Sequence, residues 1–116
     1  MLDAAKLKEA HIDCEVGVKR FAGKEKLYEK YLIKFLEDNH YQQAKEALEQ
    51  KDYDSTLKLV HALKGMTGTL AMEKLFEFCS QVVADIREDR IEAVEADFNS
   101  LSEEYNQIIA VINKMK

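Results

Sequence analysis

Proline and tryptophan are absent from this chain of 116 residues, glycine occurs four times and cysteine twice. A β-rich fold needs turn residues at every hairpin, so this scarcity excludes one and favours all-helical structure. Cys14 and Cys79 are too far apart for a C-x-x-C metal or redox motif. Both are expected as reduced, mostly buried thiols. No basic segment followed by an apolar stretch opens the chain, so no signal peptide is expected. The longest apolar run, residues 108–112, is far too short to cross a bilayer. A cytoplasmic protein without membrane contact is the expectation. Clusters of Lys and Arg interleaved with aromatics are also missing, and the net charge is −5, which argues against nucleic acid as a partner.

What is present is helical periodicity. At 116 residues the chain makes one domain with one core, and 47% apolar with 34% charged residues is ordinary for a water-exposed globule. A short amphipathic stretch covers residues 2–10. Asp13 is a candidate N-cap for a turn carrying Val16 and Val18 that ends near Gly23. Residues 24–38 repeat Leu27, Tyr31, Leu32, Phe35 and Leu36 at helical spacing, and the polar cluster Asp38, Asn39 and His40 marks a bend. Residues 41–50 continue with Ala44, Ala47 and Leu48. After a turn at 51–52 come stretches at 53–70, 73–88 (Leu75, Phe78, Cys79, Val82, Val83, Ile86 inward) and 91–114 (Val94, Phe98, Leu101, Tyr105, Ile108, Ile109, Ile112 inward). Long helices with short connections predict an all-α, up-and-down antiparallel four-helix bundle. Its members are 24–50, 53–70, 73–88 and 91–114, within a single domain 1–116 whose N-terminal cap is about 1–23 and whose bundle is about 24–115.

His61 is the candidate functional residue. Stepping 100° per residue gathers Leu59, Leu63, Met66 and Leu70 on one side and puts His61 opposite them. Beside it on the exposed stripe lie Lys64, Gly65 and Gly68. Each glycine costs ~1 kcal/mol relative to alanine in a helix interior, so two on one face suggest that something large must approach. Leu57, one turn earlier on the same stripe, is read as part of a docking patch, and Lys58 as a cation for an acidic partner rim. Glu37 and His40 form a Glu-x-x-His, but no second copy exists, so no metal site is expected. Cys79 points inward and cannot pair with His61 as a nucleophile. Glu103, Glu104, Glu88 and Asp89 read as solvated helix surface.

The pattern His61, Leu63, Lys64, Gly65, then Gly68 and Leu70, resembles the signature of histidine-containing phosphotransfer (HPt) domains. Gly17 to Gly23, Tyr28 and Leu32 to Phe35 resemble the family's N-terminal part. The resemblance covers nearly the whole chain and implies a four-helix bundle with a phosphorylatable histidine exposed midway along one helix. It implies that His61 attacks a phospho-aspartate on a receiver domain and later passes the phosphoryl group to another receiver. An exposed imidazole is largely neutral and nucleophilic at cytoplasmic pH. Lys64 would neutralise phosphate oxygens, while Gly65 and Gly68 would leave room for the receiver's loops. The chain would need no cofactor of its own, because Mg²⁺ and the remaining catalytic groups belong to the partner. The implied partners are response-regulator receiver domains and a hybrid sensor histidine kinase. The chain itself is expected to be a monomer and, lacking an ATP-binding domain, no autokinase. Ala71 stands where many members have glycine, and Met66 and Thr67 replace smaller residues on the inward side. The alternative reading is a helical adaptor of HPt-like fold that binds a receiver or kinase without transfer.

Overall fold

The computed structural model describes residues 2–116; Met1, first residue of the expected domain, lies outside them. The elements are α1 (Ala4–Glu9), α2 (Cys14–Arg20), α3 (Glu25–Lys34), a 3₁₀ turn (Phe35–Glu37), α4 (His40–Glu49), α5 (Tyr53–Thr69), α6 (Glu73–Arg87) and α7 (Ile91–Asn113). No strand occurs among the described residues. The one extended pairing is an isolated bridge between Ile12 and Met72, which ties the α1–α2 connection to the α5–α6 connection.

Aspartates start three of these helices. Asp3, Asp13 and Asp52 accept hydrogen bonds from the backbone N–H groups of Lys6, Val16 and Ser55. The predicted cap at Asp13 is therefore present. The bend at 38–40 also has a local cause: Asp38 turns to extended backbone. Its carboxylate accepts from the backbone N–H of His40 at 3.1 Å and faces the His40 ring at 2.8 Å. This side-chain turn competes with the helix and separates α3 from α4.

The core runs the length of the molecule, with Leu32, Val60, Leu63, Leu75, Val82, Leu101, Ile108 and Ile112 among its fully buried members. Helix α4 packs on α5, α5 on α6 and α6 on α7. Aromatic rings join α4 to α7: Tyr41 stacks on Tyr105 at 3.9 Å and donates from its hydroxyl to Ser102 Oγ at 2.8 Å. At the N-terminal side Gly17 lies against the Tyr28 ring, where a Cβ would collide with it, and Tyr28 donates to the Leu70 carbonyl at 2.7 Å. Glycine is required at 17 by this close approach.

Four expectations need correction. The buried stripe of α5 is Thr56, Val60, Leu63 and Thr67, continuing to Leu70. It lies roughly 50° round the helix from the stripe inferred from leucine spacing alone. Leu59 and Met66 are only half-buried, and Leu57 is half-buried against the core rather than free on the surface. The reason is that α5 is packed from two sides, by α4 and α6, so its covered arc is wide. Glu104 is buried, not solvated, and its carboxylate faces His11 Nδ1 at 2.9 Å. Cys14 is half-buried, whereas Cys79 is buried as expected.

Candidate functional site

Helix α5 places His61 midway along its length, on the side away from the buried stripe, and the residue is exposed. Asp52 anchors the start of the helix through both the backbone N–H and the hydroxyl of Ser55. These bonds hold the Asp52 carboxyl below the usual carboxylate range. The start of the helix is thus anchored, and the imidazole stands exposed at its middle.

The neighbours occupy distinct situations. Gly65 faces open space: a Cβ there would meet nothing within 4 Å. Gly68 is half-buried, and a Cβ there would touch the Phe76 ring at 3.5 Å. Lys58 is exposed and pairs with Asp54 at 3.2 Å, a surface i,i+4 bridge that a partner can displace cheaply. Lys64 is half-buried with its ammonium 5.5 Å from the centroid of Phe76, on α6. Leu57 packs partly into the core, so its surface contribution to a docking patch is smaller than the sequence suggests.

Features joining separate elements were not legible in the sequence. Phe76 is exposed at 37% beside Lys64. Its one local signal is an apolar residue lying off the inward stripe of α6. Arg20 on α2 donates from Nη1 to the Gly68 carbonyl, a contact across 48 positions that no local pattern encodes. On the other flank of His61 a groove of about 820 Å³ is lined by the apolar Phe21, Tyr31, Phe35, Ala62, Gly65, Met66 and Leu70 and the polar Lys34, Glu37, Asp38 and Thr69. His61 therefore stands between an aromatic-lined groove and the Lys64–Phe76 pair.

The other nucleophiles do not compete with it. Burial pushes the Cys79 thiol up to about 12, with Lys64 pulling weakly the other way, so no thiolate forms at neutral pH. Burial, then the charges of Glu25 and Asp13, raise Cys14 as well. His40 is committed to Asp38, and His11 to Glu104. Among the described residues no group of three or more His, Cys, Asp or Glu could hold a metal ion. One turn either side of His61 on its face stand Leu57, Lys58, Lys64 and Gly65, none of them a carboxylate. The arrangement suits an exposed imidazole nucleophile with a cation near it, open to a large partner. No helix among the described residues is long and apolar enough to cross a membrane.

Residues 30–111 match the family model described as Hpt domain, leaving α1, α2 and the first half of α3 outside the match. No curated protein and no solved structure is significantly similar to the chain.

Proposed function

Because the chain belongs to the Hpt domain family, a family of phosphotransfer modules rather than kinases, we propose that it is a phosphorelay intermediate that carries its phosphoryl group on His61. The observation that carries this reading is the exposed His61 at the middle of α5, with Lys64 one turn on and open space at Gly65. A receiver domain bearing a phospho-aspartate docks over this face. The unprotonated ring nitrogen of His61 forms an N–P bond as the acyl phosphate O–P bond breaks, and the aspartate carboxylate leaves. Reversal on a second receiver passes the group on. Such transfer depends on positioning and charge stabilisation more than on covalent chemistry from the acceptor's surroundings.

Each site residue then has a role. Lys64 neutralises phosphate oxygens as a point charge. Gly65 and Gly68 leave the approach to His61 clear, and Lys58 exchanges Asp54 for acidic groups on the receiver. Leu57 supports the docking surface from its half-buried position. The divalent ion and remaining catalytic groups are supplied by the receiver. We read the architecture as an up-and-down antiparallel four-helix bundle. In it α3 and α4 form one broken member, because short turns join α4 to α5, α5 to α6 and α6 to α7. The whole of 1–116 then acts as a single cytoplasmic, monomeric domain that serves a hybrid sensor histidine kinase and a response regulator.

The test is transfer from a receiver domain charged with a small phosphodonor and Mg²⁺, with wild type and His61→Gln side by side. Acid-labile, alkali-stable phosphate is expected on wild type alone. The variant should keep its stability within about 0.5 kcal/mol, since the site is exposed. A His61→Gln protein that unfolds would contradict the exposed placement. Receiver binding without transfer would instead favour the adaptor reading.

A further inference from the structure

Phe76 is a large apolar side chain left 37% exposed on α6, and nothing in the packing of the core calls for it there. Two contacts define its position. One is Gly68, whose missing Cβ would lie 3.5 Å from Cδ2 and Cε2 of the ring. The other is Lys64, whose Nζ sits 5.5 Å from the ring centroid. A lysine side chain has many rotamers, and a solvated one spreads over all of them. Among the described residues Lys64 has no ion-pair partner, in contrast to Lys58, which Asp54 holds. The aromatic face is what restrains it.

That choice of holder has a chemical consequence. A carboxylate would neutralise the ammonium and compete with phosphate for it. An aromatic face attracts the cation through its quadrupole and leaves the charge uncompensated and the three N–H donors unclaimed. We propose that Phe76 is a positioning residue of the phosphotransfer site. Its ring holds the Lys64 ammonium ready on the flank of the His61 face. This rests on the phosphotransfer reading above and assigns α6 a part in it.

The test compares wild type, Phe76→Leu, Phe76→Tyr, Lys64→Ala and the Lys64→Ala/Phe76→Leu double variant in transfer from a phosphorylated receiver. Leucine keeps apolar bulk but has no aromatic face. Phe76→Leu is expected to lower the maximal transfer rate roughly two- to fivefold, with a smaller change in the half-saturating receiver concentration. Phe76→Tyr should match wild type, and Phe76→Leu should add nothing once Lys64 is alanine. A Phe76→Leu protein that transfers like wild type, or one changed only in half-saturation, overturns the proposal. So does an additive double variant. NMR of the Lys64 ε-methylene protons decides the resting geometry without any transfer. An upfield ring-current shift is expected in wild type and Phe76→Tyr and should vanish in Phe76→Leu; its absence from wild type overturns the proposal. A wild type that shows the shift but accepts no phosphate overturns the proposed function instead.

Discussion

Gly65 sits in the interior of α5 with regular helical backbone and nothing within 4 Å of where a Cβ would stand. Folding alone therefore gives no reason for glycine there, and Gly65→Ala is expected to stabilise the protein by about 1 kcal/mol. A longer side chain should act oppositely on function: Gly65→Gln should slow transfer by crowding the approach to His61 while the helix stays intact. Thermal melts and receiver transfer, measured on both variants, check the pair. A lower Tm for Gly65→Ala would show that the open space is needed for folding after all. The placement of His61, Lys64 and Gly65 was legible because all three lie on one helix, where a step of 100° per residue fixes their relations. The true orientation of Leu57 was not, because leucine spacing could not show that α6 covers that flank of α5. Phe76 and Arg20 enter through contacts between elements, for which one sequence carries no periodic signal.

The helices, and for α4 to α7 their ends to within one residue, were readable from apolar periodicity and the lack of breakers, but the way they close was not. Five of them, α1, α2, α4, α5 and α6, close in the same way. The residue after the C-cap takes positive φ, and the next N–H reaches back to the helix, as Asp52 N–H does to the Ala47 carbonyl at 2.9 Å. Glycine is the usual residue at such a position, yet here it holds His11, Ala22, Lys51, Ala71 and Asp89. A chain with four glycines thus hides its stop signals. The absence of glycine at 71 changes no geometry, because Ala71 adopts φ 60° all the same. Left-handed backbone costs a non-glycine residue about 1–2 kcal/mol, partly offset by the greater freedom of glycine in the unfolded chain. Lys51 is exposed at φ 57°, so Lys51→Gly is expected to stabilise by about 0.5–1 kcal/mol, read as a higher urea midpoint at unchanged slope. Ala71→Gly should gain less, since it also removes a buried methyl group. A Lys51→Gly protein weaker than wild type would mean that the lysine side chain makes up for the strain.

At the scale of the whole molecule, stability rests partly on carboxylates taken out of water. Asp85 is 1% exposed between α6 and α7. Its Oδ1 accepts from Gln81 at 2.9 Å and from Arg90 at 3.2 Å, Oδ2 is buried without a partner, and the neighbouring Asp97 also bonds the Asp85 side chain. Burial works against the Asp85 charge, but bonds from Asp97, Gln81 and Arg90 outweigh it and hold the carboxyl below the usual range. The bond to Asp85, then burial and the Asp85 charge, raise Asp97. The two contributions have opposite signs in pH. That of Asp85 is present above the ordinary aspartate pKa, about 3.9, and is lost as pH falls through its lowered value. That of Asp97 is full below about 3.9 and is lost as pH rises through its raised value. The pair thus helps most between the lowered Asp85 value and the raised Asp97 value, and less above the latter, where Asp97 gives up its proton. Asp97→Asn supplies an N–H at every pH, so the variant should gain about 0.5–1 kcal/mol at pH 7. It should gain less at pH 4, where wild-type Asp97, raised by its bond to Asp85, holds a proton more often than at pH 7. Urea unfolding of both proteins at the two pH values measures the difference. An equal effect at both would mean that Asp97 does not share its proton with Asp85, and that some other group closes this end of the α6–α7 pair.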